Sequence, residues 1–78
     1  MQKIKEHDVV ALLVDLPEQD LQRGDVGTVI EAFSQTEHHP AGFIIEFVGE
    51  SGEVYKHADI TDATQIMRLH FNFQREAA

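Results

Sequence analysis

The segment Arg23-Gly24-Asp25-Val26-Gly27-Thr28-Val29-Ile30-Glu31-Ala32-Phe33 places one glycine before, and one within, a run of β-branched and apolar residues. Glycine reaches positive φ without steric cost, so the pair frames a sharp reversal that leads straight into a strand. Small, strongly bent β-barrels begin their second strand in this way. Asp25 to Phe33 is therefore expected as strand two. Val26, Thr28, Ile30 and Ala32 share one face of it and Val29, Glu31 and Phe33 the other. Gly27, a weak residue in mid-strand, is expected to mark a bulge or bend that helps the sheet close.

Upstream, Asp8 to Asp15 (DVVALLVD) is a continuous apolar run between aspartates. Its length and its valines predict a first strand buried on both faces. Residues 16–24 form a long turn in which Pro17 fixes φ and Leu21 is placed to tuck under the loop. Downstream, residues 34–42 (SQTEHHPAG) read as a hairpin loop, and Gly42 to Val48 (GFIIEFV) as strand three. Phe43, Ile45 and Phe47 alternate along that strand and form the central core stripe. Gly49 to Gly52 is a second turn with two glycines suited to positive φ. Strand four follows at Glu53 to His57, with Val54 and Lys56 opposite Tyr55 and His57. Residues 58–64 are expected to hold one helical or 3₁₀ turn capped by Asp59 or Thr61. Gln65 to Leu69 is the last strand and would close the barrel. The fold expected is all-β, a small SH3-like five-stranded barrel over residues 1–70, with a C-terminal tail at 71–78. In that tail Phe71 and Phe73 extend the last strand, cap the barrel, or present two aromatics to a surface.

A chain of 78 residues has room for one core. At this size folding buries only roughly 60% of the surface that the unfolded chain exposes. The absence of cysteine excludes disulfides, thiol chemistry and thiolate metal sites. No apolar run approaches the ~20 residues of a membrane span, and no secretory leader is evident, so a cytoplasmic protein is expected. Fourteen acidic residues against six basic ones give a net charge of −8. That field repels a phosphate backbone, because nucleic-acid affinity rests on Lys and Arg displacing counterions. It keeps a small protein soluble, and it also steers the encounter with a basic partner.

Candidate chemistry is sparse. His38 and His39 are adjacent beside Glu37, and neighbours on an extended chain point to opposite sides, whereas zinc sites draw ligands from separated positions. Glu46, with Glu31 expected next to it, reads as part of a solvated face rather than as an acid pair. Ser34 and Ser51 lie in turns without a base nearby. No cofactor, metal or enzymatic activity is therefore expected. Lys3, Lys5, Arg23, Lys56, Arg68 and Arg75 are the only cations, and no basic stripe interleaved with aromatics is available for stacking on bases.

Asp8-Val9-Val10-Ala11-Leu12, Asp15-Leu16-Pro17, and Leu21 with Arg23-Gly24-Asp25-Val26-Gly27-Thr28-Val29 together resemble the short bacterial proteins grouped as domain of unknown function 4926. Phe43 to Phe47 and Gly52-Glu53-Val54-Tyr55 fit the same pattern. The resemblance covers about residues 5–69; the Gln35 to Pro40 loop and the tail after Leu69 depart from it. It implies a compact SH3-like barrel, distantly similar to the KOW motif, and an antitoxin-like or immunity-like role beside a small toxin-like protein. The function expected is a non-catalytic interaction module for a basic protein partner. Asp15, Glu18, Asp20, Asp25 and Glu31 would supply charge, and Phe71 and Phe73 apolar anchors. The edge of the last strand also suits self-association. A KOW-like nucleic-acid or ribosome-associated accessory is the alternative.

Overall fold

The computed structural model describes residues 3–49 and 51–70. Five strands follow one another: β1 (Val9–Leu12), β2 (Val26–Phe33), β3 (Gly42–Val48), β4 (Val54–Ile60) and β5 (Ile66–Arg68). Single 3₁₀ turns at Pro17–Gln19 and Ala63–Gln65 complete the regular structure among the described residues. All pairings are antiparallel within one sheet, in the order β4-β3-β2-β1-β5. The fold is all-β, and the last strand returns beside the first. β4 and β5 end the ladder, and no pairing joins them among the described residues.

One face of this sheet is the core. Val10 and Leu12 of β1, Val29 of β2, Ile45 and Phe47 of β3, Ala58 and Ile60 of β4 and Ile66 of β5 form a single buried cluster. Val10, Val29 and Ile45 have no exposed surface at all. No helix or second sheet among the described residues lies over that face. All five strands contribute to this one cluster, so the sheet bends around it. Leu16 and Leu21 stop one end of the enclosed space, and both are buried. They exchange backbone hydrogen bonds, Leu16 N–H donating to the Leu21 carbonyl at 2.9 Å and Leu21 N–H to the Leu16 carbonyl at 3.1 Å. Pro17 opens the 3₁₀ turn between them, where its missing N–H costs nothing. The stripe expected on β3 is borne out, with Phe43 packing against the cluster that holds Ile45 and Phe47.

Several local expectations are corrected. β1 is four residues long and buried on one face only, and Leu13 is 42% exposed. The reason is that no element among the described residues covers the sheet's outer side, so a continuous apolar run does not imply two buried faces here. Of the glycine pair only Gly24 turns the chain, at φ 94°. Gly27 sits within the ladder, paired with Val10 on one side and Phe47 on the other. The bulge of β2 falls at Ile30 instead: the register passes from Val29–Ile45 to Glu31–Ile44 and leaves Ile30 without an opposite number. Ile30 and Glu31 are consequently both exposed, and Ala32 rejoins the side of Val29 across from Phe43. Of the two glycines in the second turn only Gly52 takes positive φ, at 84°.

β4 extends to Ile60, beyond the expected His57, because Ala58 and Ile60 both belong to the core. The second 3₁₀ turn is capped by Asp62 and not by Asp59 or Thr61. Its Oδ1 accepts from Thr64 N–H at 3.0 Å and from Thr64 Oγ1–H at 2.6 Å. β5 is shorter than expected at either end. The tail at 71–78, with Phe71 and Phe73, lies outside the described residues.

Candidate functional site

The loop between β1 and β2 is built to hold its carboxylates in place. Asp15 Oδ1 accepts from Arg23 N–H at 2.9 Å, and Asp25 Oδ2 accepts from Gln22 N–H, also at 2.9 Å. Asp20 closes the 3₁₀ turn in the left-handed region (φ 59°, ψ 40°), a conformation that aspartate tolerates better than most side chains. Two residues of β4 then fasten this loop to the far side of the sheet. Tyr55 hydroxyl donates to Asp20 Oδ2 at 2.7 Å, with the Asp20 carbonyl 3.3 Å away, and the Lys56 ammonium donates to the Gln19 carbonyl.

Tyr55 can reach because it is out of phase with its strand. The β3–β4 register runs from Phe47–Lys56 to Val48–Val54, leaving Tyr55 as the extra residue of a second bulge. A bulge re-aims the side chain that it frees from the ladder. Between the loop and the tip of the β3–β4 hairpin lies a groove of about 500 Å³. Pro17, Leu21, Val48 and Tyr55 supply its apolar walls, and Asp20 and Asp25 its charge. No Lys or Arg is among the described residues that line it. Val48, Val54 and Tyr55 are 45%, 55% and 49% exposed, so the tip carries apolar surface beside the carboxylates. The phenol of Tyr55 is held above its ordinary pKa. The hydrogen bond to Asp20 is the main cause, followed by partial removal from water and the charges of Asp20 and Asp25.

The five acids expected to act together are thus divided. Asp20 and Asp25 face one groove. Asp15 is occupied in holding Arg23, and Glu18 stands exposed on the 3₁₀ turn. Glu31 lies elsewhere, in a hollow of about 310 Å³ that it lines with Phe33, His39, Pro40 and Asp59. Nor does Glu31 neighbour Glu46. Glu46 has Thr28 opposite it on one side and His57 on the other, and His57 Nε2 is 3.3 Å from Glu46 Oε2. Phe71 and Phe73 lie outside the described residues. Tyr55 was not foreseen as a site residue. It is the chain's one tyrosine, but the bulge that turns it toward Asp20 leaves no mark in the five residues Glu53 to His57.

The histidine loop is organised around Thr36, whose Oγ1 accepts from His38 N–H at 3.1 Å and His39 N–H at 3.2 Å. The His39 ring meets Phe33 edge-on, with centroids 5.3 Å apart. No group of three or more His, Cys, Asp or Glu side chains is placed to hold a metal among the described residues. At the other end of the core a second groove, about 760 Å³, runs between β5 and the join of β2 and β3. Phe33, Phe43, Ile66 and Met67 line it, with Lys3 and Arg68. Near it, Lys5 and Arg68 meet on Asp8. Asp8 Oδ2 accepts from Lys5 N–H at 3.0 Å and lies 3.4 Å from Arg68 Nε, while Lys5 Nζ is 3.4 Å from Asp8 Oδ1. Burial pushes the Asp8 carboxyl up, but the Lys5 N–H and the Lys5 and Arg68 charges outweigh it and hold the group below its ordinary pKa.

No helix among the described residues is long and apolar enough to cross a membrane. A family model described as Domain of unknown function (DUF4926) matches residues 6–67. No curated protein and no solved structure matches the chain.

Proposed function

The chain belongs to the DUF4926 family, and we propose that it is a non-catalytic, cytoplasmic interaction module which binds a basic protein partner. The groove between the 16–24 loop and the β3–β4 tip is its contact surface. One observation carries this reading: two oriented carboxylates, Asp20 and Asp25, stand beside exposed Tyr55 and Val48, with no cation among the described lining residues. Interfaces draw most of their affinity from aromatic anchors inside a polar rim, and complementary charge sets the rate and choice of partner. The net charge of −8 adds a long-range attraction for basic surfaces and opposes a polyanion. An antitoxin-like or immunity-like role, in which such a surface covers a basic toxin-like protein, is one form of this function.

Capture from a host lysate tests it, using the full chain and an Asp20→Asn, Asp25→Asn double variant. The parent should retain a basic protein at about 50 mM salt and release it near 500 mM, where charges are screened within a few ångströms. The double variant should retain little of it. A partner indifferent to both substitutions, or retention of RNA in place of protein, would refute the assignment.

A further inference from the structure

The groove's dimensions and donor set say more about what it holds. Resting on the reading of this surface as a seat for a basic protein, we propose that it receives an arginine side chain of that partner, with the guanidinium against the Tyr55 ring and between Asp20 and Asp25. Each carboxylate spends one oxygen on the fold, Asp20 Oδ2 on the Tyr55 hydroxyl and Asp25 Oδ2 on Gln22 N–H. Among the described residues the other oxygen of each accepts no hydrogen bond. The two groups are therefore oriented acceptors, fixed before any ligand arrives, and such preorganisation lowers the cost of binding.

The chain's own neighbouring cations leave them available. Lys56 directs its ammonium to the Gln19 carbonyl, and Arg23 forms no ion pair with either carboxylate among the described residues. The Tyr55 ring is half exposed and tethered by its hydroxyl, so its face is held in one place. A guanidinium fits this set better than an ammonium. It is planar, stacks on aromatic faces, is weakly hydrated, and offers forked N–H donors to two carboxylates at once. The apolar floor of Pro17, Leu21 and Val48 matches the methylene stem that carries it. A volume of about 500 Å³ accommodates one such side chain and a short length of backbone.

The molecule contains its own reporter. Tyr55 is the single tyrosine and there is no tryptophan, so the tyrosine emission, distinct from the weak short-wavelength emission of phenylalanine, comes from this groove alone. A phenol bonded to a carboxylate is quenched, and a guanidinium that engages Asp20 changes that quenching. The full chain is titrated with two blocked glycine-rich peptides that differ only in carrying arginine or lysine. The arginine peptide should give a saturable change and bind several-fold more tightly than the lysine peptide. Asp25→Asn should weaken it about ten-fold, as expected when one charge-assisted contact is lost. By calorimetry, Tyr55→Phe should keep the preference for arginine, because the ring remains, and Tyr55→Leu should abolish it; circular dichroism checks that both variants are folded. Equal affinity for the two peptides, or no saturable response to arginine at millimolar concentration, would overturn the proposal. The two readings separate cleanly. If the captured partner still depends on Asp20 and Asp25, arginine recognition falls alone; if it is indifferent to them, both fall.

Discussion

At Gly27 a Cβ would lie 2.7 Å from the Glu46 carbonyl oxygen, 2.7 Å from Ile45 Cγ2 and 3.0 Å from Phe47 Cδ1. The first of these is backbone and the others belong to the most buried side chains of the molecule, so none can move aside easily. Gly27→Ala should therefore destabilise the fold by about 1–3 kcal/mol, the range for overpacking a core, read as a lower urea midpoint. A second residue-level outcome concerns Tyr55. Its folded-state pKa is raised, first by the hydrogen bond to Asp20, so its contribution to stability is complete below the ordinary phenol value near ~10 and is lost as pH climbs through the folded value. Asp20→Asn removes the charge, and the phenolate absorbance of the only tyrosine should then appear at lower pH. An unchanged titration curve would mean that the Tyr55–Asp20 contact is not formed in solution.

Among the elements, two segments that adjoin β5 depend on carboxylates. Asp8 holds the N-terminal turn against β5, and Asp62 caps the 3₁₀ turn that feeds β5. Asp62 is held below its usual pKa by the Thr64 hydroxyl and then by the Thr64 N–H; Asp8 is lowered too, against the opposing effect of burial. Depressed carboxyl pKa values give stability that is present above the unfolded value near ~4 and lost as pH falls through the folded one. An Asp8→Asn, Asp62→Asn double variant should start less stable at neutral pH and lose less between about pH 5 and pH 2 than the parent, in urea melts at each pH. The strands themselves were legible because β3 alternates without interruption and carries its stripe of Phe43, Ile45 and Phe47 where the period of two puts it. What the sequence concealed were changes of phase. Ile30 and Tyr55 each shift the alternation by one, and a bulge is decided by how neighbouring strands meet, which no single segment records. The same blindness hid the groove, since Asp20 and Tyr55 are 35 positions apart and converge only through that shift. Asp20 and Asp25 were found as acids; their separation from Glu31 followed from topology alone.

At the scale of the whole molecule, stability rests on one small enclosed cluster. Phe47 is its largest fully buried side chain, and Phe47→Ala should cost about 3–5 kcal/mol. That approaches the total stability of many small domains, so the variant should be largely unfolded at 25 °C by circular dichroism. A net charge of −8 on 78 residues also repels itself across the compact state. Raising salt from about 20 to 500 mM should accordingly move the parent's melting temperature upward, the reverse of its effect on partner binding. Leu16 and Leu21 carry one more consequence. Because each bonds to the other's backbone, residues 17–20 leave and rejoin the core at one closed pair, outside which Tyr55 and Lys56 hold Asp20 and Gln19. Lengthening that excursion beside exposed Glu18 adds only about 0.6 kcal/mol of closure entropy per doubling. The molecule thus has a port where new recognition sequence can be spliced in while the hydrophobic interior stays untouched, and descendants of one scaffold can diverge in what they grip without renegotiating how they fold.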